Sequence, residues 1–169
     1  MARLFIPTGF LASKVSSDLL LFLREELADD IYVLLEFHSG GRYRRQIDVA
    51  VLGPYGVDVV EVKNKVGGAV SASINGPWSI KRDDGTREEI PLNGSARENP
   101  YDQADHTAAD LYRWLKSELD IHTRVFPLVL VPKYRADHRL QNREIVWATN
   151  GLESFKRSLR SLRPYKNIP

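Results

Sequence analysis

Two runs of strand-forming residues, Arg45 to Leu52 and Val57 to Val62, stand on either side of Gly53-Pro54-Tyr55-Gly56. A short turn signal between two such runs makes an antiparallel hairpin the economical arrangement. Centring the turn between Pro54 and Tyr55 sets Asp48 directly opposite Glu61. Residues two apart on a strand share a face, so Lys63 joins Glu61 on the side that carries Asp48. Opposed Cβ atoms lie about 4.5–5.5 Å apart, close enough for two carboxylates to share one hard cation. A one-residue bulge would break this face assignment.

Two acids close together inside a sheet repel each other, and a cation or hydrogen-bond donors must offset the cost of burying them. A divalent metal is the natural compensation. Magnesium takes oxygen ligands and keeps several waters, which leaves positions for a phosphate oxygen and an attacking water. Lys63 is placed to orient that water or to neutralise charge developing on the phosphate. The set suits metal-assisted phosphodiester hydrolysis. The alternative is a solvated strand face on which Asp48 and Glu61 merely pair with Lys63 and neighbouring arginines.

The rest of the chain supplies cover for such a hairpin. Ser16 and Ser17 can cap a helix with apolar positions Leu19, Leu20, Leu23 and Leu27, closed by Asp29-Asp30. Ile31 to Phe37 reads as a strand. Gly67-Gly68 turns the chain into minor strands over Ala69–Ile74, Trp78–Arg82 and Glu88–Leu92. Asn99 before Pro100 is a helix start, and the helix runs to about Leu119. Tyr101, Ala104, Ala108, Leu111 and Leu115 form its apolar stripe, which leaves Gln103, His106, Asp110 and Arg113 off the packing face. Val125 to Val131 is almost wholly apolar, as a central strand covered on both sides should be. Glu144–Thr149 reads as a further strand and Gly151–Leu162 as a closing amphipathic helix. The element order gives an α/β fold with a mixed central β-sheet flanked by helices.

The 169 residues are expected to form one domain over 1–169, with its core at about 16–163 and a basic C-terminal helix and tail. The longest apolar runs fall far short of the roughly 20 residues of a spanning helix. No secretory signal is evident, so a cytoplasmic protein without membrane contact is expected. The absence of cysteine excludes disulfides, thiolate zinc sites and cysteine nucleophiles. Any metal must be held by oxygen or imidazole. The formal net charge is +2, yet residues 121–169 alone carry 10 basic against 3 acidic side chains. That segment, with Arg157 and Arg160, and a second cluster of Arg42, Arg44 and Arg45 suggest contact with a polyanion, or else a solvated helix face.

Gln46-Ile47-Asp48, Gly56-Val57, Val60-Glu61-Val62-Lys63-Asn64, Gly68, Trp78 and Asn99-Pro100-Tyr101-Asp102-Gln103 resemble the nuclease-related domain, NERD, of the PD-(D/E)xK nuclease superfamily. The resemblance covers nearly the whole chain and implies a restriction-endonuclease-like core. It implies that Asp48 and Glu61 bind Mg2+ or Mn2+, that Lys63 serves the hydrolytic water, and that Gln103 supports the site from a helix. By residue type alone Gln103 is an ordinary polar helix residue. His106 could touch phosphate or be a hydrogen-bonded histidine. Many family members carry a Gly-Glu pair near the start of the first helix. This chain has Ser17-Asp18, so Asp18 is either a third carboxylate for the metal or a favourable charge on the helix dipole. Lys65 stands where the family often has an aromatic, and could meet a nucleic-acid backbone.

The expectation is a metal-dependent nuclease that cleaves DNA with little sequence specificity, binding backbone phosphates through Arg42, Arg44, Arg45, Lys65, Arg157 and Arg160. The competing expectation is a catalytically weak nucleic-acid or partner-binding module that works with a helicase, ATPase, kinase or other effector in a repair or defence assembly. A homodimer is reasonable for a duplex cutter.

Overall fold

The computed structural model describes residues 1–7, 16–39, 45–63, 69–73, 75, 77–89, 99–131 and 147–164. The elements, in chain order, are β1 (Arg3–Phe5), α1 (Ser17–Glu26), β2 (Tyr32–His38), β3 (Gln46–Gly53), β4 (Gly56–Val62), β5 (Ala69–Ser71), β6 (Ser79–Lys81), β7 (Arg87–Glu89), α2 (Pro100–Leu119), β8 (Val125–Val131), β9 (Trp147–Asn150) and α3 (Leu152–Ser158). A six-stranded sheet has the order β1-β2-β3-β4-β8-β9, and β5-β6-β7 form a small sheet of their own. β2-β3-β4 pair antiparallel, while β1, β8 and β9 join parallel to their neighbours. The mixed α/β architecture read from the sequence is therefore the one observed.

The sheet is covered on both faces. Leu19 and Leu23 of α1 and Phe155 of α3 pack with Val49, Val51, Val60, Val62, Leu128 and Leu130. On the other face Ala108 and Leu111 of α2 meet Ala50, Val57 and Val59. Tyr101 and Ala104 meet Val129 and Val131 there, together with Trp78 and Ile80 from the small sheet. β4 is buried along its entire length, because it lies between β3 and β8 and beneath helices on both faces.

The helix starts are where capping chemistry puts them. The Ser16 hydroxyl accepts from the Leu19 amide and the Asn99 side chain from the Tyr101 amide, with Pro100 in the first turn. The ends and edges differ from expectation. α1 stops at Glu26, β1 adds an edge strand not read from the sequence, and the three minor strands are shorter than expected. Residues 144–146 of the expected last strand lie outside the described residues.

α3 ends at Ser158 rather than Leu162. The reason is Asp58, fully buried on β4, whose carboxylate accepts the Arg160 amide at 3.1 Å and the Ser161 amide at 2.8 Å. Those amides bind an acid instead of continuing the helix. The Arg160 side chain turns inward too: it donates to the Pro127 carbonyl, lies 4.9 Å from the Phe126 ring centroid, and is only 6% exposed. Burial lowers its guanidinium to about 10, with the Asp58 charge opposing.

Burial pushes the Asp58 carboxyl up from 3.8 to about 6, and hydrogen bonds from Ser161 and Arg160 offset this only in part. The folded protein thus holds a proton that the unfolded chain releases, and stability falls as pH rises from about 4 to about 6. Urea melts from pH 4 to pH 7 should show the wild type losing up to roughly 3 kcal/mol relative to Asp58→Asn across that window. A difference that stays constant with pH would show that Asp58 titrates normally.

Candidate active site

The hairpin register follows the sequence arithmetic: Val49 pairs with Val60, Ala50 with Val59, Val51 with Asp58 and Leu52 with Val57. Asp48 and Glu61 occupy the next position, where the ladder stops. The neighbouring ladder is interrupted at the same level. It passes from Leu35–Val49 to Phe37–Ile47 without pairing Glu36 to Asp48, and Glu36 has φ 43°. Leu35 and Val49 pack on the α1 face, yet Phe37 and Ile47 pack on the α2 face. Strand alternation is therefore broken at Glu36 and Asp48, the kind of local disruption that re-aims a side chain.

The Asp48 carboxylate fills the place of the missing ladder bond. Its Oδ2 accepts from the Val62 amide at 2.9 Å, while the next amide, that of Lys63, turns the other way to the Leu130 carbonyl. Asp48 is fully buried and Glu61 is 3% exposed. Lys63 Nζ donates to Glu61 Oε1 and to Gln103 Oε1, both at 2.8 Å. The ammonium is thus shared by a carboxylate from β4 and a neutral amide from α2. A carboxylate and an ammonium this deeply buried persist because each has the other and further hydrogen bonds.

α2 carries Gln103 to this point, and the small sheet fixes where α2 begins. The Ser73 carbonyl accepts from Asn99 Nδ2 at 2.9 Å and from Trp78 Nε1 at 3.1 Å. Trp78 meets Tyr101 edge to face, with ring centroids 5.3 Å apart. Asn99 caps the helix with its oxygen and ties it to the small sheet with its nitrogen. Further along α2, Asp110 accepts from Arg45 Nε at 3.1 Å and from Arg113 Nη1 at 2.7 Å. Asp110 is buried, contrary to its expected place off the packing face, because two guanidiniums neutralise it.

The structure therefore brings Glu61, Lys63 and Gln103 into hydrogen-bond contact and places Asp48 beside them. Asp18 is exposed in the first turn of α1, where its charge favours the helix dipole. Among the described residues no three His, Asp or Glu side chains form a group that could hold a metal, so Asp18 is not gathered with the pair. Arg157 and His106 are exposed, and Arg45 is held against α2 by Asp110. The buried Arg160 anchors the C-terminal segment and is not presented to solvent. Arg42, Arg44 and Lys65 lie outside the described residues. Sequence reasoning missed Asp58, whose signal is a lone acid on the opposite face of β4 from Glu61.

The donor set fits a hard divalent cation: two neighbouring buried carboxylates, with no sulfur in the chain. Two carboxylates alone leave most positions of such a cation to water.

A protein-family model described as the nuclease-related domain matches residues 13–132, more than two thirds of the chain. No curated protein and no solved structure matches it. No helix among the described residues is long and apolar enough to cross a membrane.

Asn99→Ala removes both the cap and the tie to Ser73, and is expected to cost about 1–2 kcal/mol. Asn99→Ser, which keeps a capping oxygen but not the donor to Ser73, should recover part of that loss in thermal melts. Melting of Asn99→Ser at the wild-type temperature would show that the tie to the small sheet contributes nothing, and equal melting of the two variants would show the same of the cap.

Proposed function

The chain belongs to the nuclease-related domain (NERD) family, and from that premise we propose that it is a metal-dependent nuclease hydrolysing DNA phosphodiester bonds with little sequence specificity. The observation that carries this reading is the Lys63 ammonium, held between Glu61 and Gln103 beside the buried Asp48.

Asp48 and Glu61 would hold the cation through their carboxylate oxygens. When bound, a divalent cation supplies Lewis-acid polarisation of the phosphate and a lowered pKa for water. The chain's own contribution is positional. Val62 fixes the Asp48 carboxylate, and Glu61 and Gln103 take two protons of the Lys63 ammonium, whose third is left to bind a water or a phosphate oxygen. A lysine held this way stabilises negative charge developing on the transferred phosphoryl group. Gln103 acts through Lys63 and is a positioning residue. Arg45, just before β3, and Arg113 of α2, both clamped on Asp110 and partly exposed, offer guanidiniums to backbone phosphates. No base-reading motif accompanies them, which favours contacts to the backbone over sequence readout.

The test is cleavage of labelled linear, circular and single-stranded DNA in Mg2+, Mn2+ or chelator. Activity should require metal, and Asp48→Ala, Glu61→Ala and Lys63→Ala should each lower it by at least about a hundredfold. Lys63→Ala strands a buried carboxylate at a cost of about 3–5 kcal/mol, so folding of each variant is checked by circular dichroism at the assay temperature. Gln103→Ala should lower the rate about tenfold while leaving metal-induced thermal stabilisation intact. Metal-independent cleavage, or full activity in the folded Asp48→Ala and Glu61→Ala variants, would overturn the assignment.

A further inference from the structure

At the N-terminal end of β4, away from Asp48 and Glu61, three segments line an open cavity of about 350 Å³. Its walls include Tyr55 from the β3–β4 turn, His122, Arg124 and Phe126 from the start of β8, and Arg163 and Pro164 after α3. At about 3.3 Å per residue, the four residues of β4 from Val57, level with this wall, to Glu61 separate it from the acidic pair by roughly 13 Å.

The walls are fixed to the sheet by main-chain bonds. The Tyr55 amide donates to the Ser161 carbonyl at 3.0 Å and the Val57 amide to the Arg124 carbonyl at 2.8 Å. Glycine is what lets the backbones approach this closely. A Cβ at Gly53 would run into the Ser161 carbonyl, and one at Gly56 would lie 2.6 Å from the Arg124 carbonyl oxygen. Gly56 also has φ 147°, which side chains rarely adopt. Asp58 holds the third wall through the Arg160 and Ser161 amides. A cavity built this way is pre-formed, so little binding energy is lost in ordering it.

Its chemistry is cationic and aromatic. Arg124, Arg163 and His122 line it, and no carboxylate does among the described lining residues. Asp120 contacts His122 at 3.2 Å. Guanidinium forks match phosphate oxygens in geometry as well as charge. Tyr55 is 46% exposed, and an aromatic ring in the wall is a surface for stacking. The buried Arg160 guanidinium against Phe126 adds positive charge behind the wall.

We propose that this cavity binds a nucleoside phosphate, with the phosphate on Arg124 and Arg163 and the base against Tyr55. The ligand is either a free nucleotide or one nucleotide of a nucleic-acid strand. The site stands on its own geometry and does not require the distant acids to be catalytic.

Nitrogen-15 NMR titrations in chelator, where metal-dependent cleavage cannot occur, test this with AMP, a twelve-residue oligothymidylate and inorganic phosphate. AMP should shift the amides of Tyr55, Arg124 and Arg163 saturably. The Arg124→Ala/Arg163→Ala double variant should weaken AMP at least about tenfold. Tyr55→Ala should weaken AMP but not inorganic phosphate. Asp48→Ala should bind AMP as the wild type does, which keeps this result separate from the fate of the nuclease reading. Tighter binding of the oligomer than of AMP at these resonances identifies a strand as the source, and AMP binding alone identifies a free nucleotide. Cavity resonances that neither ligand moves, or unchanged affinity in the folded double variant, would overturn the proposal. Equal loss of AMP and phosphate in Tyr55→Ala would overturn its stacking half.

Discussion

The hydrogen bond from the Val62 amide to the Asp48 carboxylate is the interaction on which the candidate site depends. In an ordinary antiparallel ladder that amide would donate to a main-chain carbonyl of β3, and Asp48 would project into one face of the sheet. Here the pairing stops after Val49–Val60, and a side-chain oxygen takes the amide instead. The exchange solves two problems together. It satisfies a buried main-chain donor at the point where the strands part, and it gives a fully buried carboxylate one of the partners it needs to stay there. The left-handed Glu36 and the reversal of faces at Phe37 and Ile47 are the backbone's side of the same arrangement.

β4 carries two buried acids three residues apart, and their surroundings assign them opposite work. Asp58 faces the α1 and α3 side, meets two main-chain amides, and pins the segment after α3 to the sheet. Glu61 faces the α2 side, meets the Lys63 ammonium, and through it a helix amide. The first carboxylate is held by amides fixed in the backbone, and the second meets a side-chain ammonium that Gln103 in turn positions.

The hairpin register, the start of α2 and the apolar β8 were legible because each rests on local chemistry. The turn at Gly53–Gly56, the Asn99-Pro100 cap and an unbroken apolar run need no knowledge of the rest of the chain. Only the resemblance pointed to Gln103 at all, and its contact with Lys63 was not foreseen, since forty residues separate them and nothing in the helix pattern distinguishes Gln103 from another polar residue. The reversal at Asp48 was invisible because it arises from a strained residue on a different strand. Arg160 misled for a related reason. Charge counting treats every arginine of a basic segment alike, and the partners that draw this one inward, Pro127 and Phe126, lie more than thirty residues earlier.

The same reasoning explains why the small sheet exists at all. Its three strands have three residues each, too few to be stable alone, and they bury Val70, Trp78 and Ile80 against α2 and β8. What they contribute to the site is the Ser73 carbonyl, a single acceptor that binds the Trp78 indole and the Asn99 amide and so sets the first turn of α2. Gln103 follows one turn later, with its own amide donating to the Asn99 carbonyl. A shift of that first turn by even 1 Å would break a 2.8 Å bond to Lys63 and leave its ammonium on Glu61 alone. The asparagine, the tryptophan and the glutamine are thus one device, built from the start of α2 and the edge of the small sheet, for holding a lysine still.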